Sequence, residues 1–314
     1  MDDYALGYSI PLNRNDMTLT MSAERNTAKV IDEPFNRLNV KSEASTYALA
    51  LSYPLRFFSG EQVSDRTRTL DIGLKMEKRY SKTFLLDKPF PFSPGVEGDD
   101  NRKGESHISV VRFSQDWLDR SRTQVIAARS SFNFGIDAFD ATIHEDGSPD
   151  SHFFSWLGQF QWVKRLPFFD SQILFRTDFQ WANQDLLPLE KISIGGATTV
   201  RGYRENQLTR DNGLISSVEW RMPIMRIPMP GLSKESEDGL LYFAPFADYG
   251  RAWNTDSDTP DPKDIYSVGF GLRWAPIPKV QAEVYWGKAL QDIPDSPDND
   301  LQDKGIHFEI SVLW

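Results

Sequence analysis

The sequence predicts an all-β protein: a transmembrane antiparallel β-barrel of about 13 strands, with a long loop joining strands at 171–186 and 214–224. Three observations predict it. Apolar and polar residues alternate with period two in segment after segment, the pattern of a strand with two unlike faces. These segments are about 9 to 11 residues long, enough to cross a bilayer at a tilt, whereas ordinary soluble strands run about 5 to 6. The connections also alternate in kind. One set is mostly short ("NRND", "DRSRT", "APIPK") and the other long and acidic ("HEDGSPDS", "NTDSDTPDPKD", "QDIPDSPDNDLQDKG"), as in barrels with short turns at one rim and long loops at the other. "MRIPMPGLSKESEDG" is the exception on the short side.

The elements follow in order. Tyr4, Leu6, Tyr8 and Ile10 share one face against Ala5, Gly7 and Ser9; after "NRND", Met17, Leu19, Met21 and Ala23 form the return arm of a hairpin. Tyr47, Leu49, Leu51, Tyr53, Leu55 and Phe57 line the next segment, then Leu70, Ile72, Leu74 and Met76 alternate with Asp71, Gly73, Lys75 and Glu77. His107 to Leu118 alternates less cleanly. Ile126 to Ile136, Phe154 to Trp162 and Ile173 to Trp181 each set an aromatic or aliphatic face against Ser, Gln, Arg and Asp. Val218, Trp220, Met222 and Ile224 oppose Ser217, Glu219 and Arg221, and Val268 to Trp274 oppose glycines and Arg273. The last segment sets Ile306, Phe308, Ile310, Val312 and Trp314 against His307, Glu309 and Ser311. A soluble sandwich or propeller also alternates, but these charged faces would make a poor dry core. A water-filled lumen removes that objection.

Composition agrees. The 314 residues carry a net charge of -10, which excludes a nucleic-acid partner because no basic face is available for phosphates. No apolar run approaches the roughly 18 residues of a spanning helix. Aromatics make up 13%, with nine Trp. The chain has no cysteine, which constrains the compartment only weakly. The opening "MDDYALGYSIPLN" shows no secretory signal. Counting back from an inward-running last strand gives about 13 strands of a probable 16, so the first also runs inward. Single-chain bacterial barrels have even strand numbers, which predicts that a signal, a periplasmic region and roughly three strands precede residue 1, or that the count is off by one. Residues 1–314 are thus expected to be a C-terminal barrel region.

Two motifs carry the functional signal. The loop "LLPLEKISIGGATTVRGYRENQLTRDNG" holds Gly195, Gly196 and Gly202, which permit positive φ and close backbone approach, and Arg201, whose guanidinium can hold a carboxylate with two parallel bonds. In "YFAPFADYGRAW", Phe246, Asp248 and Gly250 share one strand face. That face must be the lumen's, since a carboxylate is unfavourable in lipid. Pro245 suggests a bulge.

With "ISIGGATTVRGYRENQL", "SVEWRMPI", "FADYG" and a terminal aromatic strand, the chain resembles the outer-membrane translocators and insertases that carry periplasmic POTRA domains. Within them it is most similar to the haemolysin secretion/activation proteins, the transporter partner of two-partner secretion. The resemblance implies a bacterial outer-membrane protein translocator whose partners are a secreted exoprotein and membrane lipid, with no nucleotide. It also implies that the long loop between the strands at 171–186 and 214–224 is inserted into the lumen, that Arg201 pairs with Asp248, that Val200, Gly202 and Tyr203 shape the loop tip, and that Phe246 and Gly250 form its seat. An insertase of the same superfamily, a diffusion porin and an adhesive barrel are the alternatives.

No enzyme motif is present: H-E-x-x-H, a Walker loop and G-x-S-x-G are all missing, so no catalytic residue, metal or cofactor is expected. Of His107, His144, His152 and His307, the last shares a lumen face with Glu309 and reads as a solvated histidine. Asp256, Asp258, Asp298 and Asp300 lack the Gly and distal Glu of a calcium loop. Glu24, Arg129, Arg176, Asp178, Glu219, Arg221 and Arg273 read as a hydrated ion-pair network in the lumen.

Overall fold

The computed structural model describes residues 3–13, 16–29, 38–56, 66–93, 96, 102–145, 149–235, 237–293 and 301–313. Phe57, Asp298, Asp300 and Trp314 lie outside them, as do parts of "NRND", "HEDGSPDS" and the last acidic loop. The strands are β1 (Tyr4–Pro11), β2 (Thr18–Lys29), β3 (Lys41–Arg56), β4 (Thr67–Leu85), β5 (Lys88–Pro89), β6 (Glu105–Arg120), β7 (Gln124–Gly135) and β8 (Phe154–Arg165). They continue as β9 (Gln172–Ala182), β10 (Ile192–Ile194), β11 (Leu208–Arg210), β12 (Asn212–Arg226), β13 (Leu240–Trp253), β14 (Asp264–Ile277), β15 (Val280–Ala289) and β16 (Ile306–Val312).

These strands form an antiparallel barrel wall in sequence order, β1-β2-β3-β4-β6-β7-β8-β9-β12-β13-β14-β15-β16, with β5 pairing off β4 and β10-β11 standing apart as a two-stranded sheet. Among the described residues the wall therefore holds thirteen strands, the number the alternation predicts. Among the described residues no ladder joins β1 to β16, and no helix is long and apolar enough to cross a membrane, which says nothing of crossing by strands.

Burial explains why these residues make a membrane wall. Along β13 the inward set Ala244, Phe246, Asp248, Gly250 and Ala252 is buried. Outward-facing Val268, Phe270, Leu272, Val284 and Trp286 are exposed, and so are Phe308 and Ile310 on β16. Large apolar side chains outside and carboxylates inside is the inverse of a soluble sandwich and matches a lipid-facing cylinder. Outside, aromatic rings meet across strands: Phe270 lies 5.7 Å from Phe243 and 5.6 Å from Trp286, the spacing at which ring pairs attract.

The structure corrects several boundaries and one expected bulge. The strand expected over 171–186 ends at Ala182, because Leu186 and Leu187 turn inward into a buried cluster with Ile108, Val110 and Phe153. The strand expected over 214–224 is longer, Asn212–Arg226. Several others exceed the expected length, β4 reaching 19 residues. Pro245 makes no bulge: β13 keeps one register with β12 from Glu219–Phe246 to Met222–Phe243, and the irregularity falls at Pro223/Met225 instead. A proline lacks only its own N–H, so the ladder can lose that bond without an inserted residue. The less regular 107–118 segment is paired to β4 along its whole length and to β7 from Val110 on.

Placing an arginine at Phe270 on the outer face, midway along β14, should cost about 2–4 kcal/mol, as cations do at the lipid midplane. Equilibrium unfolding from lipid bilayers measures this, with Phe270→Leu as the comparison.

Candidate functional site

The long connection between β9 and β12 builds the site. Its root is fixed by carboxyl groups. Asp211 Oδ1 accepts the Leu186 N–H at 2.8 Å and pairs with Lys191 at 2.9 Å, while Asp185 accepts the backbone N–H of Asp256 at 2.9 Å. Burial works against the Asp185 carboxylate, yet hydrogen bonds from Asp211 and from the backbone of Asp256 and Ser257 outweigh it and hold it at about 2. Burial, and then the bond to Asp185, push Asp211 up.

From this root the chain enters the lumen as a hairpin, β10 against β11. Ile194, Val200, Tyr203 and Leu208 pack on Ile215, Ala252 and Ile265 of the wall. The tip turns back at Gly195 and Gly196, both at positive φ, where Glu205 accepts the Ala197 N–H at 2.8 Å.

At the tip Arg201 reaches the wall. Its Nε donates to Asp248 Oδ2 and its Nη2 to Asp248 Oδ1, both at 2.8 Å, and its own backbone N–H adds a bond to Oδ2 at 3.0 Å. The guanidinium Nη1 donates to Glu219, and Nη2 also donates to Ser217 Oγ at 3.1 Å. Ser217 in turn donates to Asp248 at 2.6 Å. The guanidinium carbon sits 3.5 Å from the Phe246 ring centroid and 4.9 Å from that of Tyr285, a cation over two π faces. Arg201 is 6% exposed, Asp248 3% and Glu219 6%. Burial would lower the arginine's pKa, but Asp248 and Glu219 raise it, so it stays a cation.

Strand register explains why these groups meet. Across β12 and β13, Ser217 faces Asp248 and Glu219 faces Phe246. Phe246 in turn faces Gly269 on β14, and Gly269 faces Gly287 on β15. The two glycines leave a flat floor beside the ring, and Gly202 lies on it: a Cβ there would stand 2.9 Å from the Gly287 carbonyl, at a backbone φ of +93°. Gly250 is a seat of the same kind, where a Cβ would come within 2.4 Å of Ile194 and 2.9 Å of Val200. Tyr203 donates to the Tyr266 carbonyl at 3.0 Å and accepts the Gln291 N–H at 3.0 Å.

All nine residues singled out from the sequence therefore lie in or beside one cluster. Sequence reasoning missed two others and misread two more. Glu219 is a member of the cluster, not of a solvated network; Arg221 and the Tyr285 hydroxyl, 3.2 Å away, meet its other oxygen. His307, read as solvated, is buried and accepts the Gly202 N–H at Nε2, 3.2 Å away. This requires a neutral ring protonated at Nδ1. Ser217 and Tyr285 carried no signal beyond lumen parity. Elsewhere ion pairs do line the lumen, Arg129 with Asp116, Arg176 with Asp178 and Arg273 with Glu283.

The family model for the haemolysin secretion/activation protein ShlB/FhaC/HecB matches residues 1–274. No curated protein matches the chain. Among solved structures it is similar to CdiB from Acinetobacter baumannii, at 16% identity with a TM-score of 0.65, covering 99% of this chain and 50% of that one. CdiB from Escherichia coli gives 19% and 0.68, covering 99% and 52%. BamA from Haemophilus ducreyi lacking POTRA domains 1-3 gives 14% and 0.62, covering 99% and 61%. The chain thus spans about half the length of the CdiB chains it matches.

Gly202→Ala should undock the tip, since it adds both a positive-φ penalty and an overlap with Gly287. Gly231→Ala, at a φ of +79° with open space around it, carries only the first. Limited proteolysis of the 195–207 segment should accelerate in the former and not in the latter.

Proposed function

The chain belongs to the haemolysin secretion/activation protein family (ShlB/FhaC/HecB), outer-membrane β-barrels of two-partner secretion, and from that membership we propose that it moves an unfolded exoprotein across the outer membrane through its barrel. The observation that carries the reading is the buried contact of Arg201 with Asp248 at the end of a loop lying inside the lumen. A diffusion porin has no use for a loop tip bound by five hydrogen bonds from one residue. A transporter that stays shut until engaged does.

In this reading the docked loop fills the conduit, and its withdrawal opens a passage lined by Arg176, Glu219, Arg221, Arg273 and Glu283. These paired charges present a hydrated surface to an extended chain without a strong sign of their own. Export then draws on the substrate's own folding outside. The likeness to BamA supports a shared fold and does not favour insertase activity over secretion.

Removing one member of a buried ion pair costs about 3–5 kcal/mol, less in a hydrated lumen. Arg201→Ala is therefore expected to leave the barrel assembled while lowering release of a co-expressed two-partner exoprotein into the medium by about tenfold or more. Exchanging the charges, Arg201→Asp with Asp248→Arg, should restore part of the release in a Glu219→Gln background, because the new carboxylate would otherwise face Glu219. Direct pairing is wrong if the exchange does no better than either single change. Loss of other outer-membrane barrels on deletion, with exoprotein release intact, would point to an insertase instead.

A further inference from the structure

The loop touches the wall at a second place that the tip does not explain. Between its root and the β10-β11 hairpin, a single 3-10 turn, Pro188–Glu190, carries Glu190 to the wall. There Arg79 of β4 donates to Glu190 Oε1 at 2.7 Å and to the Leu189 carbonyl at 2.7 Å. Arg112 of β6 adds bonds to both carboxylate oxygens, at 2.8 and 3.0 Å, while its Nε donates to Glu77. Gln180 donates to the Glu190 carbonyl at 2.9 Å. Glu190 is 7% exposed. The wall strands that carry these arginines are separated from β12 by β7, β8 and β9, so the loop is gripped at two distant points.

The polarity is reversed between them. At the tip the loop supplies the cation and the wall the acids; at Glu190 the loop supplies the acid and the wall the cations. Beside Glu190 opens a lumen cavity of about 450 Å³ lined by Lys75, Arg79, Arg112, Arg129 and Lys191; Lys75 and Arg112 also pair with Glu77, Arg129 with Asp116 and Lys191 with Asp211, whereas Arg79 pairs with Glu190. Withdrawal of the loop would take Glu190 with it and leave Arg79 facing the lumen. Two arginines set to receive one carboxylate in this way form a recognition geometry.

We propose that Arg79 and Arg112 form a carboxylate-binding site on the lumen wall, which Glu190 fills while the loop lies across the barrel and which acidic side chains of the polypeptide in transit fill once it withdraws. The proposal rests on the transporter reading above. It makes Glu190 a second positioning residue for the closed loop, and it gives the translocated chain a specific chemical preference at this level of the pore.

The test is conductance of the full chain in planar bilayers, with heat-modifiable gel mobility confirming assembly. Glu190→Gln, isosteric and uncharged, should open severalfold more often than the unaltered protein. A short oligoglutamate should block it at roughly a tenth of the concentration that blocks the unaltered protein, oligolysine should not, and adding Arg79→Gln and Arg112→Gln should abolish the difference. Equal block by both peptides would overturn the site. Openings unchanged in Glu190→Gln but increased in Arg201→Ala would sink the second anchor and leave the tip reading standing; openings unchanged in both would sink the two together. If Glu190→Gln does not assemble, Arg79→Gln, which keeps Glu190 on Arg112, must show the same increase in openings.

Discussion

A guanidinium taken out of water must be fully met or it unfolds its surroundings, and most of the lumen geometry follows from meeting Arg201. Asp248 takes two of its donors, Glu219 and Ser217 take others, and the rings of Phe246 and Tyr285 cover its flat faces. Two acids against one arginine would leave an excess charge, and Arg221 on Glu219 cancels it. Such a set adds little net stability over an apolar patch, because desolvation offsets most of the attraction. Its effect is on specificity: only one placement of the loop tip satisfies every member, and any displacement leaves buried carboxylates uncompensated. A contact of that kind is sharp in space and costly to leave half-made, which fits the proposed loop that is either docked or withdrawn.

The lumen also holds the protein's packed interior. The wall is secured by its own ladder, as a bilayer demands, since lipid offers no partner to an unpaired backbone group. Its outer side chains stay in contact with lipid and gain no core. The two larger buried apolar clusters instead form between the loop and the inner wall: Leu186 and Leu187 on Ile108 and Val110, and Ile194, Val200 and Leu208 on Ile215 and Ile265. Loop docking therefore buries apolar surface as well as charge, and the loop behaves as a small domain folded inside a cylinder.

How much of this the residues announce beforehand depends on whether the feature is local. Alternation is local, so the thirteen wall strands are readable from it, including the indistinct 107–118 segment. Arg201 and Asp248 are readable because a guanidinium among glycines in a loop and a carboxylate on an apolar strand are each out of place locally. Glu219, Tyr285 and His307 are not, because on a lumen face they look like any hydrated side chain. What buries them is the loop lying over them, a tertiary event with no trace in their neighbours. Glu190 is hidden in the same way within "PLEK", an unremarkable acidic position until the loop brings it to Arg79 and Arg112. Pro245 misleads for the opposite reason. Its local rule, a missing donor, is real, but the ladder absorbs the loss without changing register.

The tip does more than fill space, because its neighbours belong to different strands. Arg201 holds β12 and β13, Tyr203 reaches the Tyr266 carbonyl on β14, Gly202 lies against Gly287 on β15, and its N–H meets His307 on β16. Arg204 extends the contact to Asp303 in the connection before β16. Five successive strands thus share one loop tip as a common interior support. The hairpin β15-β16 depends on it most, since Gly202, Gly287 and Gly305 are stacked so closely that a single Cβ at any of them would collide with another. Withdrawal of the tip would remove from all five strands the contact that fixes their inward faces relative to one another. On the proposed transport reading, opening of the conduit and loosening of this stretch of wall would be one event rather than two, with the Arg201 cluster setting its threshold.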